Sequence, residues 1–197
     1  MKTSLAEKSK TNARIVARAK ELFKSKGIEK TSVAEVMNSS GLTHGGFYRH
    51  FEDKTSLIKA TIQSSFDEVC DLLSEGFQKK PPTAVVDQYC DLYLSKKHLN
   101  NPQYGCPIAS LATEISKEGE EFKEIFSAGF EDLIHQLKQG SPGTDKEREG
   151  DAIRKMSMMV GAMVIARASN SKNAKKVMDA CKPTLHGLTV AEGQVVL

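Results

Sequence analysis

An all-α fold is predicted for this chain: three short N-terminal helices and a larger C-terminal helical bundle, about nine helices in all. Three observations predict it. Apolar residues recur at the 3.6-residue spacing of a helix face. No segment shows the sustained period-two alternation of a half-buried strand. The stripes stop where glycine, proline or polar clusters interrupt them, at Gly27, at Ser39-Ser40-Gly41, at Lys79-Lys80-Pro81-Pro82 and at the loop "GSPGTD".

The elements follow in order. Ile15, Val16, Ala19, Leu22 and Phe23 form one stripe that ends near Gly27. Thr31 or Ser32 opens a second helix, and Ser32 with Glu35 has the spacing of a capping box. Val33 and Val36 face inward, and Gly41 suits a left-handed turn. Leu42 follows as a buried plug, and Thr43 is placed to cap a short third helix. A fourth helix starts at Asp53 or Lys54 and runs to about Gly76, with Leu57, Ile58, Ile62, Phe66, Val69 and Leu73 on its stripe. Further helices are expected over about 83–98, 107–116, 119–139, 146–169 and 172–188. The tail "TVAEGQVVL" carries no readable role.

Composition narrows the functional class. With 39% hydrophobic and 27% charged residues the chain has enough apolar surface for a core. No apolar run approaches the roughly 18 residues that cross a bilayer. The N-terminus "MKTSLAEKSKTNAR" lacks the apolar stretch of a secretory signal, so the cytoplasm is the expected compartment. Cys70, Cys90, Cys106 and Cys181 form no CxxC pair and no zinc-type cluster, so reduced thiols and no metal or cofactor are expected. Enzymatic chemistry is not expected either: the five histidines are scattered, and no phosphate-binding loop or HExxH pattern is present. Charge is uneven. Residues 1–60 carry 12 Lys+Arg and 6 Asp+Glu, net +6, whereas the remainder is net −3. A basic first third suggests that this end meets a polyanion, although a solvated helix face has the same composition.

The segment "THGGFYRHFEDK" places two adjacent glycines where a short helix is expected. Each helical glycine costs about 1 kcal/mol relative to alanine. Two short helices joined by a tight Gly-containing turn make a helix-turn-helix, whose second helix presents its N-terminal residues to the major groove. Without side chains at Gly45 and Gly46, the backbone there can approach a large ligand such as duplex DNA. Thr43 and His44 stand at a helix start, which favours phosphate. Tyr48, Arg49 and His50 can reach phosphates or base edges, while Phe47 and Phe51 anchor the segment to the core. The alternative is a tight turn between core helices.

The stretch "TSVAEVMNSSGLTHGGFYRHFEDKTSLIKA" resembles the DNA-binding region of TetR-family transcriptional regulators, and "RIVARAKELFKSKG" resembles that family's first helix. The resemblance covers about 50 residues. It implies a two-domain, all-α homodimer that represses transcription until a small ligand binds the body. It divides the chain into a helix-turn-helix domain over 1–54 and a ligand-binding and dimerisation domain over 55–197. It places Thr43, His44, Gly45, Gly46, Tyr48 and His50 on recognition-helix contact positions, Lys54 on a phosphate contact, and Thr31 or Ser32 on another. Met37 departs from the pattern, which has a small alanine there. The two helices are expected to cross farther apart, or Met37 to flex.

In the body, "GCPIASLATEIS" and "MMVGAMVIARAS" resemble an LmrA/YxaF-like subgroup of that family. Phe66, Val69, Tyr89, Tyr93, Cys106, Phe126 and Met159 are the expected lining of an apolar or aromatic effector pocket, with simple core packing as the alternative for each. Pro107 marks a helix start, which makes Cys106 the N-cap. A thiol there can react as an oxidant or electrophile sensor, or serve only as a small cap. Ile153, Met156, Val160, Met163, Val164 and Arg167 are the expected dimer face, and the same pattern suits an internal helix.

Overall fold

The computed structural model describes residues 5–187, and within them the chain is all-α with no strand. The C-terminal stretch 189–197 lies outside the described residues. Nine α-helices are described: α1 Leu5–Lys26, α2 Val33–Ser39, α3 Lys54–Phe77, α4 Pro82–Tyr93, α5 Lys96–Asn100, α6 Pro107–Ile115, α7 Glu120–Leu137, α8 Asp145–Arg167 and α9 Ser171–Gly187. Short 3-10 helices lie at His44–Arg49, Pro102–Tyr104 and Lys138–Gly140.

The ends have local causes. α1 stops where Gly27 turns left-handed at φ +92°, and α2 stops before Gly41 at φ +68°. Ser32 caps α2 by accepting from the Glu35 N–H at 3.1 Å. The reciprocal half of the expected capping box is not made, because the Glu35 carboxylate pairs with Lys26 instead. α3 begins at Lys54 because Asp53 accepts from the Ser56 N–H at 2.7 Å. The expected helix over about 83–98 is two helices, α4 and α5, with the break at Leu94 and Ser95. The complete capping box lies at Thr144 and Glu147, which open α8.

Packing divides the chain into two compact units. The first comprises residues up to Asp71 and Asn101–Leu133; the second comprises Leu72–Asn100 and the residues from Ile134 onward. In the first unit α1 packs on α2, on α6 and on the 3-10 turn at Pro102–Tyr104. Ile15, Ala19, Phe23, Val36, Met37, Phe47, Leu57, Ile62, Phe66, Leu111 and Leu133 are buried. The Phe66 ring lies where a Cβ on Gly129 would stand, only 2.3 Å away, so a side chain at 129 would displace it. In the second unit α8 packs on α9, and α4 packs on α9 and on the 3-10 turn at Lys138–Gly140. Its α8 stripe is Ala152, Met156, Met159, Met163 and Ala166, all buried. A buried cluster joins α8 to the preceding turn: Lys155 pairs with Asp151 at 2.9 Å, and Ser141 bonds the same carboxylate.

Candidate nucleic-acid interface

α2 and the 3-10 helix at His44–Arg49, joined by the turn at Gly41, form a helix-turn-helix. The second element, the expected short helix, is a 3-10 helix. Gly46 N–H bonds the Thr43 carbonyl at 3.0 Å and His50 N–H bonds the Phe47 carbonyl at 2.8 Å, both i→i+3. Two successive glycines supply little α-helix propensity, and the six-residue element takes the tighter 3-10 coil. Thr43 occupies the N-cap position, but its side chain makes no cap bond. Phe47 is buried and stacks against Phe51 at 5.8 Å between ring centroids, which fastens the element to the core.

The face away from that anchor is open. A Cβ on Gly45 would meet nothing within 4 Å. Gly46 faces the Met37 methyl and the Thr43 hydroxyl, each 3.7 Å from where its Cβ would be. Met37 is itself fully buried, so the large residue at the helix crossing folds inward beneath Gly46. Thr43, His44, Gly45 and Arg49 are exposed, and Tyr48 is 69% exposed despite its ring. His44 and Tyr48 meet edge-to-face at 6.4 Å. These residues form one outward group of two aromatic rings, a guanidinium and a bare backbone.

Two further residues stand apart from that group. Lys54 is half-buried, and its ammonium donates to the Ile28 carbonyl at 2.7 Å. Thr31 corrects the expectation. It is wholly buried, and its hydroxyl donates to the Gly27 carbonyl at 2.7 Å, so it cannot reach a phosphate. Its neighbour Ser32 is the exposed one of the pair.

Sequence reasoning missed two residues around this site, Asn12 and Glu114. Asn12 of α1 bonds His50 Nδ1 through its side-chain oxygen. Burial, with Lys8 and Arg49 behind it, holds the His50 imidazole below its ordinary value. Glu114 of α6 accepts the Ile28 N–H at 2.6 Å, and its carboxylate fills the space beside Gly27. The Ile28 peptide is therefore held from both sides, by Glu114 at its N–H and by Lys54 at its carbonyl. Only contacts between residues far apart in sequence reveal these roles.

The expected effector lining is dispersed. In the first unit Phe66 and Phe126 meet edge-to-face at 5.4 Å, Val69 is half-buried and Cys106 is buried as the N-cap of α6. In the second unit Tyr89 and Tyr93 meet at 5.9 Å and Met159 is fully buried. The second unit also carries an apolar groove of about 210 Å3, lined by Leu72, Leu73, Val85, Tyr89 and Leu92 with Glu75, Lys79 and Lys80 alongside. Of the expected lining it includes Tyr89. Cys70 and Cys90 are held as thiols, pushed up by burial to about 11 and about 12.

The expected dimer residues also separate. Ile153 and Val164 are exposed and Val160 is half-buried. Met156 and Met163 are core residues of the second unit, so they are not on the outward face. Arg167 spends a guanidinium N–H on the His98 carbonyl at 3.1 Å. Ile165, at 53% exposure, joins the outward face unanticipated.

A helix-turn-helix with an open glycine backbone, on an all-α chain whose residues 1–60 are net +6, defines a DNA-binding protein of the helix-turn-helix class. Residues 15–61 match the family model described as bacterial regulatory proteins, tetR family. The HTH-type transcriptional regulator YfiR of Bacillus subtilis (strain 168) is 30% identical over 90 residues, covering 46% of this chain and 44% of that protein. A regulator encoded in the lacX 3' region of Lactococcus lactis subsp. lactis is 26% identical over 131 residues, covering 66% of this chain and 67% of that one. A solved TetR regulator from Chloroflexus aurantiacus J-10-FL has the same fold, with a TM-score of 0.75 and 22% identity over 93% of this chain and 96% of that one. Over residues 15–61 the chain is similar to the DNA-binding region of TetR-family transcriptional regulators, and the relatives it matches are regulators rather than enzymes. No helix among the described residues is long and apolar enough to cross a membrane.

Proposed function

We propose that this regulator is a cytoplasmic repressor that binds a palindromic duplex operator as a homodimer and leaves it when a small apolar or aromatic effector fills the body. The open backbone at Gly45, flanked by exposed His44, Tyr48 and Arg49, is the observation that carries the DNA-binding face. A symmetric operator calls for a two-fold dimer. The exposed apolar residues Ile153, Val164 and Ile165 on α8 support an isologous contact there. The apolar groove beside Tyr89 supports an apolar effector. α3 is the covalent route by which a change in the body reaches Lys54, because one helix runs from Lys54 to Phe77. A ligand that prefers the released state about 100-fold contributes roughly 2.7 kcal/mol, within the usual range of allosteric coupling.

The alternative control route is oxidation or alkylation of Cys106. Its thiol is 4% exposed, beside the Gly105 carbonyl to which the Lys24 ammonium donates at 2.7 Å. Burial keeps reagents from Cys106, which favours the non-covalent route.

The test is selection of duplexes from a random pool, followed by titration across salt concentrations and measurement of complex mass. Palindromic enrichment, a dimeric complex and a steep fall of log affinity with log salt are expected. A flat salt response or a monomeric complex overturns the reading. His44→Ala is expected to relax preference at one base position at a cost of about 1–3 kcal/mol. Equal loss on selected and random duplexes removes His44 from base reading.

A further inference from the structure

α1 begins well before the family match. The match starts at Ile15, whereas the helix starts at Leu5, so about three helical turns precede it. These turns are exposed from Leu5 to Lys10, and they carry Lys8, Lys10 and Arg14 against one acid, Glu7. A helix that is polar all round does not extend itself for the sake of a core.

The extension is not featureless. At about 100° per residue, Lys8 and Asn12 lie on the same face as the buried Ile15. Lys10 points about 140° away from Ile15. On the packed face Asn12 bonds His50, the residue at the C-terminal end of the recognition element. Lys8 stands one turn before Asn12 and acts electrostatically on the same imidazole, as does Arg49. Like charges gathered around one histidine oppose its protonation in the free protein. A polyanion laid against them reverses that balance.

We propose that the N-terminal turns of α1 are part of the duplex-binding surface, with Asn12 as the positioning residue for His50 and Lys8 as a phosphate contact beside it. This inference rests on the operator-binding reading above. The partner chemistry is the sugar-phosphate backbone, because a lone flexible ammonium reads charge and not sequence. Asn12 fixes the ring through Nδ1, which leaves Nε2 as the atom available to DNA.

The experiment uses the full chain and a duplex selected by the unmutated protein, with affinity measured across salt concentrations. Lys8→Ala is expected to lower affinity about 3- to 10-fold at about 0.1 M salt and to reduce the salt slope by about one. Lys10→Ala makes the same change in net charge on the opposite face and is expected to leave the slope unchanged. Asn12→Ala is expected to weaken binding about as much as His50→Ala, and the double variant is expected to lose no more than either alone. Equal slopes for Lys8→Ala and Lys10→Ala overturn the phosphate contact. Additive losses for Asn12→Ala and His50→Ala overturn the positioning role. If the unmutated protein selects no duplex at all, the operator reading itself fails, an outcome distinct from equal slopes in a protein that does bind.

Discussion

The Lys54 ammonium donates to the Ile28 carbonyl at 2.7 Å, so the first residue of α3 is tied to the turn that follows α1. An ammonium has three N–H donors, and one is spent here. Lys54 can therefore hold the turn and meet a phosphate together. Lys54→Met is expected to cost about 1–2 kcal/mol of stability, at the low end for a charged hydrogen bond because the group is half-exposed. It is also expected to lower the DNA salt slope by about one. Urea unfolding and salt-dependent titration check the two effects separately; loss of stability with an unchanged slope makes Lys54 purely structural.

The two glycines are predicted to differ less than their shared role suggests. Neither has a positive φ, and a methyl group fits at both positions. Gly45→Ala and Gly46→Ala are expected to keep or raise stability by about 0.4–1 kcal/mol, since alanine restricts the unfolded chain. Gly45→Leu is expected to abolish operator binding while the fold persists. A Gly45→Leu protein that melts early and binds poorly in proportion marks a structural turn instead.

Lys24 gives a pH prediction. Burial pushes its ammonium down to about 8, against the opposing pull of Cys106 and then Glu68. Between that value and its ordinary one the unfolded chain binds the proton that the folded chain has released, so stability rises with pH across this window. The gain from pH 7 to pH 10 is on the order of 2 kcal/mol. Denaturant unfolding of the unmutated protein and of Lys24→Met at both pH values isolates it: the variant is expected to gain less by that amount. Parallel curves remove Lys24 as the cause.

On α8, inward and outward residues are expected to fail in different ways. Met163→Ala empties a fully buried site and is expected to cost about 2–5 kcal/mol in unfolding. Ile165→Glu changes an exposed residue and is expected to leave the protomer folded while dissociating the dimer. Sedimentation equilibrium beside thermal melting distinguishes them. A dimer that survives Ile165→Glu together with Val164→Glu places the interface elsewhere.

Local patterns determined much of this protein from the sequence alone. The helices carry their own apolar stripes, and Gly27, Gly41 and Pro107 punctuate them by backbone chemistry that needs no partner. The helix-turn-helix was legible for the same reason: its turn, its paired glycines and its Phe47–Phe51 anchor lie within a dozen residues. The tertiary structure decided what periodicity leaves open. Burial placed Thr31 inside and Ser32 outside, although the two are adjacent and chemically alike. It turned Met156 and Met163 into the core while leaving Ile153, Val164 and Ile165 on the surface, because α8 is apolar on more than one side. Asn12 with His50, and Glu114 with Ile28, meet only when helices distant in sequence pack together. A hydrogen-bond partner 38 or 86 residues away leaves no trace in local propensity, because its energy depends on a distance that the fold alone sets.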